Sequence, residues 1–227
     1  MQSILKTILS LAAAGTMMVS APLDEAAPQH DMDGPVFLAN RQWKVSRYYI
    51  PENMRQAQVQ GQVRTLREEA ATALEEMYAA CKEEKNITLT SISGYRSYAT
   101  QRAIYNRKLD RVGSKAKADE YVARPGASEH QLGLAMDVSQ KGKSNLSASF
   151  AKQGGGKWVA ENCWRFGFII RYQKGWEDIT GYEYEPWHVR YVGKEVAAAI
   201  HKNEMPLETF LLLLREEKLM DIMIVEE

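Results

Sequence analysis

The sequence predicts an α+β fold, and two observations carry that expectation. Apolar residues recur at helical spacing in some segments and alternate at strand spacing in others, without a regular βαβ rhythm or an internal repeat. The chain has 227 residues, 45% hydrophobic and 26% charged, enough for one domain plus a further segment. Such a composition excludes collagen-like rods, coiled coils and largely disordered chains.

The elements follow in order. Residues 1–21 have the form of an export signal: Lys6 precedes the apolar run Ile8–Val19, with Ala14, Gly15, Ser20 and Ala21 as small residues near a cleavage point. The run is shorter than the ~20 residues needed to span a bilayer. Pro22 is a poor residue after a scissile bond, so both a cleaved signal and an N-terminal membrane anchor stay open. Residues 22–42, rich in Pro, Asp, Gln and Ala, read as a linker, in which His30 is a solvated residue beside Asp31 and Asp33. The folded domain is expected over 43–227.

Within it, Val63, Leu66, Ala70, Ala73, Leu74, Met77 and Cys81 form one apolar stripe, predicting a helix over 59–85 that ends at Asn86. Residues 87–93 alternate and read as a strand. Helical character returns over 100–109, and alternation over 132–138. A helix is expected over 157–166, strands over 168–172 and 188–191, and helices over 194–201 and 207–217. Pro206 opens the last of these, where its missing N–H costs nothing.

Charge and cysteine content narrow the function. Lys and Arg equal Asp and Glu at 29 each, so no global positive field recruits nucleic acid. Two cysteines, Cys81 and Cys163, exclude a Cys-only zinc module and leave one disulfide or two buried free thiols equally open. Three catalytic patterns fail. Gly154-Gly155-Gly156-Lys157 has Trp158 where a phosphate loop needs Ser or Thr, and reads as a flexible loop. No G-x-S-x-G is present, and Ser114-Lys115-Ala116-Lys117 lacks the K-T-G that would follow it in a serine acyl-enzyme.

A fourth pattern holds together. Of four histidines, His130 stands seven residues before Asp137, and His188 stands three after Glu185. Singly, His130 reads as a surface residue, His188 as a core histidine and Asp137 as a strand-end cap. Together, two imidazoles and a carboxylate suffice for a catalytic zinc ion with one position left for water, and Glu185 can take a proton from that water. Strict alternation puts His130 and Asp137 on opposite faces, so the chain must turn between them, and Gly133 is the natural place. Leu132, Leu134 and Met136 then face the core. Pro186 holds Glu185 extended. His201 reads as exposed or core-flanking.

Ser93-Gly94-Tyr95-Arg96-Ser97, Ser128-Glu129-His130-Gln131-Leu132-Gly133-Leu134-Ala135-Met136-Asp137 and Glu185-Pro186-Trp187-His188-Val189-Arg190-Tyr191-Val192-Gly193 resemble, in order and spacing, the VanY-type D-alanyl-D-alanine carboxypeptidases. These are zinc peptidases that trim bacterial peptidoglycan stems. The resemblance covers about Tyr95 to the C-terminus. It implies a small central antiparallel sheet with flanking helices, a single zinc peptidase domain of the D-Ala-D-Ala carboxypeptidase/Hedgehog type. It further implies one Zn²⁺ held by His130, Asp137 and His188, Glu185 as general base and Arg96 opposing the developing oxyanion. Ser128 contacts the substrate's terminal carboxylate, with Tyr95, Gln101 and Trp187 lining the pocket. Gln173 departs from the family's pattern, where proline is common, and alters a loop. The partner implied is a peptidoglycan stem peptide in the cell envelope, with no nucleic acid and no protein partner evident. Specificity stays open between D,D-carboxypeptidase, L,D-carboxypeptidase and endopeptidase. A non-catalytic wall-binding module would lack a ligand or the base, and all four residues are present.

Overall fold

The computed structural model describes residues 34–143 and 146–225, with residues 217–225 as backbone alone. The export segment expected over 1–21 and His30 lie outside the described residues. A two-stranded antiparallel ribbon comes first, β1 (Met54–Gln56) against β2 (Thr65–Arg67). Helix α1 (Glu68–Lys85) follows β2 directly, nine residues later than the sequence pattern suggested. The reason is local. Gly61 has a φ of 138°, and a Cβ on it would lie 2.1 Å from the Ser91 carbonyl oxygen. The segment before β2 is thus laid against the neighbouring chain, where the Gln62 N–H donates to Ser91, and cannot be helical. Val63, counted in the apolar stripe, is exposed.

Glu68 and Glu69 in the first turn of α1, and Lys82 and Lys85 in the last, complement the helix dipole, and left-handed Asn86 closes it. Strand β3 (Leu89–Ser93) leads to helix α2 (Tyr98–Val112), capped by Ser97 accepting from the Thr100 N–H and closed by Gly113. Next come α3 (Lys115–Asp119), a 3-10 turn over Glu129–Leu132, and strand β4 (Ala135–Gln140). A 3-10 turn over Ala148–Lys152 precedes α4 (Gly154–Asn162), and another over Cys163–Phe166 precedes β5 (Phe168–Tyr172). The chain ends with α5 (Glu177–Thr180), β6 (Glu185–Tyr191), α6 (Lys194–Asn203) and α7 (Leu207–Val225). The main sheet is antiparallel in the order β3-β4-β6-β5, so the α+β expectation holds.

Strand alternation divides this sheet between two environments. Leu134, Met136, Val138, Phe168, Ile170 and Val189 enter a main core with α1. On the other face Ile169 joins a second cluster with Ile200 of α6 and Phe210 of α7. Asp137, His188, Arg190 and Arg171 share that second parity and are all buried. The linker expected over 22–42 is corrected by the same packing. Phe37 and Ala39 lie in the main core and Leu38 in the second, so the packed domain begins before Trp43. Three apolar or small residues in a row within a Pro- and Asp-rich stretch give no periodic signal, which is why the pattern missed them.

Cys81 and Cys163 are free and both buried in the main core. Burial pushes their thiols up to about 11 and about 12, the setting of inert core cysteines. No helix among the described residues is long and apolar enough to cross a membrane.

The glycine run is the other correction: Gly154, Gly155 and Gly156 form the first turn of α4 and not a flexible loop. A Cβ on Gly156 would sit 1.9 Å from the Phe150 carbonyl oxygen, so the 3-10 turn and the helix meet at a distance only glycine allows. Gly156→Ala should therefore destabilise the domain by about 1–3 kcal/mol, the usual cost of overpacking. A thermal melt several degrees lower is expected; an unchanged melt would mean the two turns separate freely.

Candidate metal centre and active site

The sheet itself brings two of the expected ligands together. Asp137 on β4 and His188 on β6 are directly paired across the strands, on the face away from the main core. His130 arrives from the 3-10 turn, which ends at Gly133 with a φ of 68°. A Cβ there would press on Arg67, 3.2 Å from its Cγ, so the turn that swings His130 over Asp137 needs glycine twice over. Leu132, Leu134 and Met136 are fully buried in the core, as the turn requires.

Ligand atoms of His130, Asp137 and His188 all lie within 4.8 Å of one another, and all three residues are buried. Asp137 Oδ1 is 3.4 Å from His130 Nε2 and 3.3 Å from His188 Nδ1. Its other oxygen, Oδ2, accepts from Arg96 Nη2, and Arg96 Nε donates to Ser93 Oγ at 2.7 Å. One carboxylate oxygen thus faces the imidazoles while the other is held by arginine. His130 Nδ1 lies 2.8 Å from the Gly94 carbonyl oxygen. That contact makes Nδ1 the protonated nitrogen and leaves the Nε2 lone pair facing the cluster.

His188 is held from behind by Glu129, which adjoins His130 in sequence. Glu129 Oε2 stands 3.5 Å from His188 Nε2, and both atoms are buried without a hydrogen-bond partner. With His188 Nδ1 turned to the cluster, Nε2–H points at that carboxylate. Glu129 Oε1 accepts from Arg171 Nε at 2.8 Å and Arg190 Nη1 at 2.7 Å. Arg171 also holds Glu208 of α7, at 2.9 Å through Nη1. Glu129 is therefore fixed by two guanidiniums in a position to orient the His188 ring.

The charges agree with a cation site. Burial opposes ionisation of Asp137, but His130 and Arg96 outweigh it and hold the carboxyl well below its usual range. Burial opposes protonation of His188, yet Asp137 and Glu129 outweigh it and carry its pKa up to about 9. His130 goes the other way, burial and then Arg96 lowering it to about 4. Two buried carboxylates around one imidazole therefore demand positive charge, and a divalent metal ion answers that demand. Two imidazole nitrogens and one carboxylate oxygen fit zinc with a position left open.

Glu185 Oε2 is 3.7 Å from His188 Nδ1, at the cleft side of the cluster. Burial, with Asp137 adding to it against His188, pushes its carboxyl up to about 8. A cation at the cluster favours the ionised form and opposes both effects.

The cleft above has a volume of about 460 Å³. Ser128, Gln101 and Trp187 line it as expected. Ser128 occupies the cap position of the 3-10 turn without bonding the turn's N–H groups, so its hydroxyl is not spent on capping. Gln101 donates to the Ala123 carbonyl oxygen at 2.8 Å, and its own Oε1 is buried without a partner. Tyr95 is a correction, for it does not line the cleft. Its N–H bonds the Thr65 carbonyl oxygen of β2 at 2.7 Å, and the next residue, Arg96, takes the cleft side. Pattern reading missed Tyr172 and Tyr182, which do line it. A register shift between Ile170 and Tyr172 puts the Tyr172 ring 5.0 Å from that of His188, and strand alternation alone carries no sign of such a bulge. His201 is exposed, stacked on Trp164 at 4.9 Å, and takes no part.

Comparison with known proteins follows this geometry. The chain is 44% identical over 180 residues to YodJ of Bacillus subtilis (strain 168), covering 76% of this chain and 65% of that protein. It is 38% identical over 130 residues to a D-alanyl-D-alanine carboxypeptidase of Enterococcus faecium, covering 57% of this chain and 38% of that one. The chain thus spans less than two thirds of the length of these relatives. Among solved structures, the LdcB LD-carboxypeptidase superposes with a TM-score of 0.75 at 42% identity, covering 80% of this chain and 87% of that chain. VanYB in complex with D-alanine-D-alanine superposes with a TM-score of 0.67 at 32% identity, covering 78% and 97%. A VanY D,D-pentapeptidase in complex with Zn(II) gives the same TM-score and identity, covering 78% and 98%. The family model described as VanY, D-alanyl-D-alanine carboxypeptidase, matches residues 63–194, a stretch that holds every member of the cluster and Glu185 beside it, and the chain belongs to that family.

Proposed function

We propose that this protein is a zinc-dependent carboxypeptidase that removes the terminal D-alanine from D-Ala-D-Ala-ending peptidoglycan stem peptides. The observation that carries it is the convergence of His130, Asp137 and His188 in a cleft with Glu185 at its edge. The Zn(II) and D-alanine-D-alanine complexes of similar structures support the same reading. Zinc, when bound, supplies Lewis acidity that makes water acidic enough to lose a proton near neutral pH. Glu185 takes that proton and returns it to the leaving amine. Arg96, fixed by Ser93 and Asp137, sets positive charge beside the carbonyl under attack. The Ser128 hydroxyl meets the substrate's terminal carboxylate, and Trp187 and Gln101 shape the wall behind it. Residues 1–21, with their export-signal pattern, support action in the cell envelope.

A second reading, L,D-carboxypeptidase, is favoured by the greater identity to LdcB. Digestion of pentapeptide and tetrapeptide stems, with and without a chelator, separates the two by mass spectrometry. Loss of D-alanine from the pentapeptide that stops on chelation supports the first; cleavage of the tetrapeptide alone supports the second.

Four outcomes are expected of the purified chain. His188→Ala should lose most bound zinc by metal analysis, while Glu185→Gln keeps it and turns over roughly 10²–10⁴-fold more slowly. A full equivalent of zinc in His188→Ala would refute the ligand set. Glu129→Gln should weaken zinc binding about 10–100-fold in a chelator competition, the usual effect of losing the carboxylate behind a ligating histidine. Unchanged zinc affinity would sink that orienting role. Amidating the substrate's C-terminus should lower kcat/KM about 10²-fold or more, the scale of one lost charge-assisted contact. Equal rates on acid and amide would point to an endopeptidase.

A further inference from the structure

The cleft has a second end, chemically unlike the first. Gln101, Ile104, Lys108 and Arg111 recur along α2 at spacings of three and four, so one stripe of the helix lines the cleft, with Arg107 beside it. The stripe starts close to the metal cluster, because Arg96, bonded to Asp137, lies just before the helix cap. At ~1.5 Å rise per residue, Arg107 and Arg111 stand roughly 13–20 Å along the axis from Tyr98. Helical side chains lean back toward the N-terminus, which shortens that span.

Every carboxylate lining the cleft, Glu129, Asp137 and Glu185, belongs to the metal end. At the far end, among the described residues, Arg107, Lys108 and Arg111 form no ion pair. The cleft's other lining arginine, Arg96, holds Asp137 at the metal end. Lys108 is half-buried, its Nζ 4.1 Å from the centre of the Tyr121 ring, which also lines the cleft. Arg107 and Arg111 keep contact with water, and together with Lys108 they line the groove that leads to the cluster.

We infer that the Arg107, Lys108 and Arg111 stripe is a subsite for carboxylate side groups of the peptide upstream of the cleaved bond. This rests on the carboxypeptidase reading of the cluster. An extended peptide advances ~3.3 Å per residue. With its cleaved bond at the cluster, groups two to four residues upstream come within reach of the three cations. Ligand chemistry is therefore an anionic peptide, and two carboxylates of a stem peptide qualify: that of the γ-linked glutamate and the free one on a dicarboxylic diamino acid. The preference for acid over amide at these positions would select among wall chemistries.

Binding is measured by calorimetry on the zinc-loaded full chain carrying Glu185→Gln, so that no cleavage intervenes. The probes are the stem pentapeptide as free acid, amidated at the glutamate, and amidated at the diamino acid. Amidation of the recognised position should weaken binding about ten-fold, the scale of lost charge-assisted contacts, and the arm that weakens names the source. Adding Arg107→Ala, Lys108→Ala and Arg111→Ala should cost about as much on the free acid and nothing further on the amide. With Glu185 restored, the loss should fall on KM rather than kcat and shrink as salt rises. Equal binding of acid and both amides, or an equal loss on all three peptides, would overturn the subsite. Absence of turnover by the unsubstituted chain on any stem peptide would instead refute the carboxypeptidase reading. The three side chains lie at the surface of α2, and a thermal melt checks that their removal leaves the fold intact.

Discussion

An ionised carboxylate in a protein interior needs charge of the opposite sign in direct contact, or its desolvation cost goes unmet. Glu129 has two such contacts, Arg171 of β5 and Arg190 of β6, all three with side chains fully out of solvent. The rest of the site hangs on that arrangement. Because Oε1 takes both guanidiniums, Oε2 is left to face His188 Nε2, and the imidazole's other nitrogen is committed to the cluster. Arg171 continues to Glu208, tying the C-terminal helix to the same network. Arg190 donates to the carbonyl oxygens of Pro35 and Phe37, so the chain before Trp43 is recruited as well. Removing one member would strand a buried charge, at a cost of roughly 3–5 kcal/mol. Stability and ligand orientation are one property here.

Much of this was legible from residue spacing, and the legible part shares a cause. Leu134, Met136 and Val138 alternate because a two-faced strand imposes a period of two, and the same period puts Asp137 on the other face. The turn at Gly133 followed from needing His130 and Asp137 together, and its φ of 68° is what only glycine adopts without strain. Other features depend on contacts far apart in sequence. The start of α1 is set by Gly61 lying on Ser91, and the turn at Gly156 by Phe150. The partners of Glu129 lie 42 and 61 residues away. No local pattern reports such a partner. Nothing in the sequence around Glu129 announces Arg171 and Arg190 as its partners.

Tyr95 and Tyr172 show the same limit from opposite sides. Tyr95 sits inside a recognisable motif but turns its backbone to Thr65, leaving the cleft to Arg96. Tyr172 sits at the end of an ordinary apolar strand, and a bulge rotates it beside His188. Motif membership fixes residue type and order. Which side a side chain faces is decided by the hydrogen-bond partner of its backbone.

The two ends of the cleft also answer different physical demands. At the metal end, negative charge is concentrated and buried, so a cation is needed to make Asp137 and Glu129 compatible with His188 in one small volume. At the far end positive charge is spread along α2 in partial contact with water, where each contact is weaker and sensitive to salt. On the proposed function, a peptide laid between them would be ordered by this gradient, its terminus toward the metal end and its upstream acidic groups toward the helix. The chemistry at the cluster is common to any peptide that reaches it. Discrimination between peptides therefore has to come from the walls, and among the described charged residues lining the cleft only Arg107, Lys108 and Arg111 are free of the metal-site network.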